Sequence, residues 1–319
     1  MNVRWSTIVL ILVLVAALCV FPFVSGNTYD VMLVTQMFIL GLAAMGLDIL
    51  VGYTGLVSFA QATFFGIAAY GVAIGTTELG VTNFFAVSAL GVALSVAAAA
   101  VLGLLALRTK GVGFFIITLA FDELVWGLAY QWASVSGGEN GISGFFRPVI
   151  AGVDLTGTNA FYFLSLLVLA ICTGLMVLIV RSPFGLVLRG IREQPRRMRA
   201  LGYNTWIYQY ISFILAAFFA GIAGVLIAYY NEFVGTSLLN LAESTQFVVM
   251  SILGGIGTLF GSLLGSGIIV ALNNLLSNYT QRWEMVVGAV YVVTVVFAPQ
   301  GIIGLVQRAI LRRRGGKAS

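Results

Sequence analysis

Long apolar runs separated by short polar breaks set the pattern of this chain. The runs cover residues 7–23, 31–51, 58–76, 84–107, 114–134, 161–180, 206–230, 242–276 and 286–306. Most are close to the ~20 residues that a helix rising 1.5 Å per residue needs to cross about 30 Å of hydrocarbon. In lipid every backbone N–H and C=O must find a partner within the protein, so each run is predicted to be helical. The first run also reads as the apolar core of a secretory signal, since Val24-Ser25-Gly26 follows it. The run 242–276 is too long for one perpendicular span and is interrupted by Gly254, Gly255, Gly257, Gly261, Gly265 and Gly267. A helical hairpin turning near Gly257–Phe260 brings the total to about ten spans, whereas a single crossing or a re-entrant segment there changes the parity. The fold expected is all-α: a polytopic transmembrane bundle of about ten spans with broken or re-entrant helices.

The polar breaks are not alike. The one from Arg181 to Arg199 holds six arginines against the single Glu193. At mid-bilayer each such charge costs about 2.5–3.5 kcal/mol even on the lenient insertion scale, so this stretch belongs in water. Arg108 and Lys110 close another span, and Arg308, Arg312, Arg313, Arg314 and Lys317 crowd the end of the chain. The positive-inside rule assigns all of them, and both termini, to the cytoplasm. The expected organisation is a membrane domain over 1–306, a cytoplasmic segment at 181–205 and a basic tail at 307–319. Within the segment Leu186–Glu193 is predicted to be a short surface helix, stopped by Pro195. The longest external loop falls at 135–159 and carries Glu139, Arg147 and Asp154.

Composition agrees with this pattern and excludes several functions. Hydrophobic residues make up 60% of the 319 and charged residues 8%, with a mean hydropathy of +1.06, which is not the composition of a water-soluble globule. The net charge of +5 comes from the segments between spans, so nucleic-acid binding is not indicated. With no histidine, an imidazole-based triad or proton relay is impossible. Cys19 and Cys172 each lie in an apolar run, so neither a disulfide framework nor a metal site is legible, and no catalytic residue is assigned. Lys110 and Lys317 are the only lysines and neither lies in a phosphate-cradling Gly-x-x-x-x-Gly-Lys loop, so ATP hydrolysis would need a separate subunit.

Candidate chemistry is confined to polar residues at membrane depth. Gly52, Tyr53, Thr54, Gly55, Ser58 and Gln61 form one glycine-and-polar cluster, and Gly254–Ser262 forms a second. Unwound backbone inside a membrane is tolerated only where it lines protein or a watery cavity, and broken helices in two parts of a chain point to a transport path. Asp122 and Glu123 lie inside a span as either path residues or structural hydrogen bonders, with Glu123 preferred for the path. Asp48 reads as an interfacial or capping group, and Gln246, Asn273 and Asn274 as interhelical hydrogen bonders. Tyr229, Tyr230, Trp206 and Trp283 fit aromatic belts.

Several stretches resemble one family in order along the chain. Gly52-Tyr53-Thr54-Gly55-Leu56-Val57-Ser58-Phe59-Ala60-Gln61-Ala62 with Phe64-Phe65-Gly66-Ile67-Ala68-Ala69-Tyr70 resembles a signature of the LivM-type permeases of branched-chain amino acid ABC importers. Gly111-Val112-Gly113-Phe114-Phe115 onward through Thr118, with Gly137-Gly138-Glu139-Asn140-Gly141, is similar to their central pattern. Ser182-Pro183-Phe184-Gly185 through Ile191-Arg192-Glu193 and Ala200-Leu201-Gly202 is similar to their coupling segment, although Pro195 and Arg196-Arg197 depart from the small and acidic residues usual there. Gly254-Gly255-Ile256-Gly257-Thr258-Leu259-Phe260-Gly261 and Pro299-Gln300-Gly301 resemble the C-terminal signatures.

The resemblance implies a half-transporter in a bacterial inner membrane, surrounded by lipid. Its implied partners are a homologous LivH-type permease, two ATPase subunits that hold the ATP, and an extracytoplasmic binding protein. It implies coupling roles for Arg189, Arg192, Glu193, Ala200, Leu201 and Gly202. A translocation path is expected along Gly52, Tyr53, Gly55, Ser58, Gln61, Thr118, Glu123 and Gly257. No cofactor is expected in this chain. An ion-coupled secondary transporter of a small organic solute, or a channel-like scaffold, would fit the composition alone.

Overall fold

The computed structural model describes residues 17–81, 83–109, 111–150, 153–279, 282–297 and 301. Lys110, Pro299, Gln300, most of the first apolar run and the basic tail at 307–319 lie outside them, as do both termini. Long helices dominate: α1 (Thr28–Thr54), α2 (Gln61–Thr77), α3 (Phe84–Ala106), α4 (Val112–Gln131), α5 (Thr158–Arg181), α8 (Thr205–Asn231), α9 (Leu241–Gly254), α10 (Leu259–Tyr279) and α11 (Trp283–Phe297). Two short helices, α6 (Pro183–Glu193) and α7 (Pro195–Ala200), occupy the arginine stretch.

Among the described residues six helices are long and apolar enough to cross a membrane: α1, α3, α4, α5, α8 and α10. The protein is therefore a multi-pass helical membrane protein. Two of the ten expected spans do not have full spanning length. The run 58–76 becomes α2, which has 17 residues and starts only at Gln61. The first half of 242–276 becomes α9, which has 14 residues and is about 21 Å long. Its break falls at 255–258, two residues before the expected turn, because Gly255 (φ 115°) and Gly257 (φ 84°) take backbone that other residues reach only under strain.

The two 27-residue helices α1 and α8, each about 40 Å long, form the centre. They are buried over most of their length, while α3, α4 and α5 bury only a stripe. Helix α8 packs on α1, α2 and α3, and α10 packs on α1 and α9. Lipid offers no hydrophobic force between helices, so contact depends on shape. Gly224 of α8 illustrates it: a Cβ there would lie 2.0 Å from the Phe65 carbonyl oxygen of α2. Phe64 and Phe213, edge to face at 5.2 Å, fill the neighbouring space.

At the end of the bundle away from the arginines, the loop between α4 and α5 contributes Ile142–Ser143 (β1), Val149–Ile150 (β2) and Val153–Asp154 (β3), with β1 antiparallel to Phe233–Val234 (β4). Arg147 folds back from this loop onto the end of α8. Its guanidinium donates to the carbonyls of Tyr229 and Tyr230 at 3.0 Å each, lies 3.6 Å from a Glu232 oxygen and sits 4.7 Å from the Phe161 ring centroid. The last carbonyls of a helix lack intrahelical donors, and a cation is the complement to that negative end. On the same loop the Thr156 backbone N–H donates to Asp154 at 2.9 Å and holds that carboxyl below its usual range.

Candidate functional site

Two discontinuities in the helices build the site. Helix α1 ends at Thr54 with Gly55 in the left-handed conformation (φ 75°), its N–H returning to Val51. The chain then runs without helix through Ala60 before α2 begins. Gln61 Nε2 donates to the Ala43 carbonyl at 2.8 Å, so α2 starts level with a residue eleven positions, or about 16 Å, back from the end of α1. Six extended residues can cover that rise at about 3.3 Å each. The non-helical stretch thus climbs from the arginine-rich end to mid-bundle, and α2 continues to the opposite end. Helix α9 begins at the same depth and runs the other way.

Both N-termini converge on Asp122, which is fully buried. Its Oδ1 accepts from the Thr63 backbone N–H at 3.1 Å, from Thr63 Oγ1 at 2.7 Å and from Ser244 Oγ of α9 at 3.2 Å. The Ala62 N–H donates to Ser244 Oγ at 3.0 Å, and the Phe59 N–H to Thr118 Oγ1 at 3.2 Å. Each helix start would otherwise leave amide donors without partners in hydrocarbon, and each carries the positive end of its dipole. A carboxylate and two hydroxyls from neighbouring helices therefore cap the entry to α2 from outside, while Asn240 caps α9 by accepting from the Glu243 N–H at 2.8 Å. Ser58 Oγ accepts from Ala60 N–H at 3.2 Å and shapes the turn into α2.

The second discontinuity, 255–258, lies against the end of α1. Buried Asp48 accepts at Oδ1 from the Gly257 N–H at 2.8 Å and from Ser251 Oγ at 3.2 Å. Tyr53 donates its hydroxyl to the Gly257 carbonyl at 3.1 Å. The contact admits no side chain, since a Cβ on Gly52 would stand 2.5 Å from the Gly257 nitrogen.

Helix α6 reaches this junction directly. Pro183 opens it at the first helical turn, and Gly185, Val187, Leu188 and Ile191 bury one face. From the exposed rim, the Arg192 guanidinium donates to the Gly52 carbonyl and comes close to Gly257, while its aliphatic stem lies beside Gly55. The Arg189 guanidinium lies 5.1 Å from the centroid of the Tyr53 ring, a cation–π contact. Pro195 then opens α7, Gly202 (φ 89°) reverses the chain, and Asn204 caps α8 through the N–H groups of Trp206 and Ile207. Glu193, Ala200, Leu201 and Gly202 are exposed.

Of the path residues read from the sequence, the structure gathers Gly52, Tyr53, Gly55 and Gly257 at one junction and Ser58, Gln61 and Thr118 at the other. Glu123 joins neither and is exposed on the outer side of α4. Its neighbour Asp122 is the buried one, because α4 buries only Phe114, Thr118 and Asp122, spaced four apart. That spacing is visible in the sequence and distinguishes the two carboxylates. Asp48 does cap a backbone break, as one of its two sequence readings required, but it does so deep in the protein. Ser244 and Ser251 carried no sequence signal of their own.

Comparison with known proteins identifies the family. The sequence pattern of the branched-chain amino acid transport system / permease component family matches residues 30–297. The high-affinity branched-chain amino acid transport system permease protein LivM of Escherichia coli K12 is 27% identical over 97% of this chain and 77% of its own length. LivM of Salmonella typhimurium is 28% identical over 93% of this chain and 75% of its own length. A probable LivH permease of Methanocaldococcus jannaschii is 27% identical over 60% of this chain and 63% of its own. No solved structure matches the chain. With the match extending from the start of α1 to the end of α11, across both broken helices and the arginine-rich pair between them, the chain belongs to the branched-chain amino acid transport system permease family.

Proposed function

We propose that this chain is the LivM-type half of an ABC importer for branched-chain amino acids in a bacterial inner membrane. Its membrane domain spans 1–306, its coupling segment is 181–205, and the basic tail at 307–319 lies on the cytoplasmic side. A homologous LivH-type permease completes the path, two ATPase subunits bind and hydrolyse ATP, and an extracytoplasmic binding protein delivers the solute. The chain has no ATPase chemistry of its own.

The observation that carries this reading is the direct contact between α6 and both ends of the α1 junction. Arg192 on a short exposed helix holds the carbonyl of Gly52 and approaches Gly257, while Arg189 holds the Tyr53 ring. A subunit that grips α6 and moves it on ATP binding moves the end of α1 and the α9–α10 break with it. Arg189, Arg192 and Glu193 supply the rigid part of that grip, and Ala200, Leu201 and Gly202 the return to the membrane. Gly52, Tyr53, Gly55 and Gly257 then form the inner part of the path and Ser58, Gln61 and Thr118 its middle. Glu123, exposed on α4, contributes to the path where the second permease faces it.

The test is affinity isolation of the chain from its native membrane with solute-stimulated ATPase and leucine uptake measured in proteoliposomes. Recovery of a second permease and ATPases, with uptake that depends on the binding protein, supports the assignment. Uptake by the chain alone under an ion gradient rejects it. In the same assay Arg192→Ala is expected to leave the assembly intact and to lower uptake at least about tenfold, uncoupling ATP turnover from transport.

A further inference from the structure

Beyond the Asp122 cluster, a cavity of about 340 Å³ opens between α1, α8, α9 and α10 in the half of the bundle opposite the arginines. That volume is at the lower end of the about 300–1,000 Å³ usual for small-molecule sites. Its floor is the first turn of α9, where Glu243 and Gln246 line the space together with Gln36 of α1 and Asn273 of α10. Leu40, Ile227 and Leu238 supply an apolar wall.

The polar groups here lack partners. Among the described residues no side chain donates to the Glu243 carboxylate, and the Arg147–Glu232 ion pair lies elsewhere. The Asn273 Oδ1 is buried with no hydrogen bond, whereas its neighbour Asn274 accepts from the Tyr29 hydroxyl at 3.0 Å. Buried polar groups without protein partners are normally satisfied by water or a ligand, and an uncompensated carboxylate at membrane depth asks for a cation. A bare metal ion fits poorly, because it needs a tight shell of oxygens at about 2.3–2.6 Å and these acceptors are dispersed around a volume with an apolar side.

We propose that this cavity binds a primary ammonium group attached to an alkyl chain, with Glu243 as its counter-ion, Asn273 as a second acceptor and Leu40, Ile227 and Leu238 against the carbons. A small apolar amino acid carries such a group. That choice of source rests on the importer reading above, whereas the ammonium chemistry does not. The carboxylate of the amino acid would meet the amide groups of Gln36 and Gln246.

The experiment is thermal unfolding of the full-length chain, purified from its native membrane with its attached subunits. It is titrated separately with 3-methylbutylamine, 4-methylpentanoate, leucine and sodium chloride. The amine and leucine are expected to raise the unfolding midpoint by several degrees, and 4-methylpentanoate and salt to leave it in place. Glu243→Gln is expected to weaken amine binding at least about tenfold, and Asn273→Leu, which breaks no existing hydrogen bond, to weaken it about threefold or more. A midpoint indifferent to the amine, equal amine affinity in Glu243→Gln, or the same shift from sodium chloride alone would overturn the proposal. Leucine uptake in proteoliposomes separates the two conclusions: amine binding without amino-acid transport keeps the site and rejects the importer, and the reverse rejects the site.

Discussion

Asp48 and Asp122 do opposite work from what a carboxylate in a membrane first suggests. Each spends one oxygen on backbone amides that a helix break has exposed, so their removal strands donors in a region without water. Asp48→Ala is expected to lower stability by about 1–3 kcal/mol, and Asp48→Asn, which keeps an acceptor oxygen, by less. Thermal unfolding in detergent checks both, and equal losses in the two variants would contradict the capping role. Gly52→Ala is expected to be as damaging, because its methyl group would meet the Gly257 nitrogen at 2.5 Å, where nothing flexible can yield. These roles were half legible. The glycine cluster and the buried polar residues stood out in the sequence, whereas the pairing of Asp48 with residue 257 joins positions 209 apart and follows from no local pattern. Between Asp122 and Glu123 the four-residue spacing of Phe114, Thr118 and Asp122 was the decisive signal, and attention to charge alone obscured it.

At the scale of elements, α2 and α9 start back to back at mid-bundle; Asp122 and Ser244 cap α2, and Asn240 caps α9 through the Glu243 N–H. Ser244→Ala removes the acceptor of the Ala62 N–H and the link to Asp122 together. It is expected to cost about 1 kcal/mol or more, as loss of a helix cap does, and to speed amide exchange at the start of α2 while leaving α1 and the Asn240-capped start of α9 unchanged. Exchange that rises uniformly through the bundle would show that the cluster does not cap α2. Apolar length and glycine positions located α1, α3, α4, α5 and α8 within a few residues. Helices α2 and α9 were placed as closely, but reading each run as a full span missed that both start at mid-bundle, which hydropathy does not mark. The arginine stretch was easier to read: Pro183 and Pro195 bound α6 as their fixed backbone geometry requires.

For the molecule as a whole, the arginine segment and the Arg147 loop lie at opposite ends, and the proposed orientation follows from which end meets the cytoplasm. In a background with Cys19→Ser and Cys172→Ser, Gln194→Cys is expected to react with an impermeant thiol reagent only in inside-out vesicles, and Ser143→Cys only in right-side-out ones. The reverse labelling would invert the bundle and remove the coupling role of α6. Helix α8 runs between these ends. Its far end is clamped by Arg147 through the Tyr229 and Tyr230 carbonyls, and its near end follows directly on the arginine segment. A rod fixed at one end responds to a push at the other by swinging, and over about 40 Å each ångström of push becomes a tilt of about 1.4°. If the proposed stroke reaches α8, Arg147 is the fulcrum of that lever, and its loss would let α8 slide along its axis, turning a directed stroke into slack.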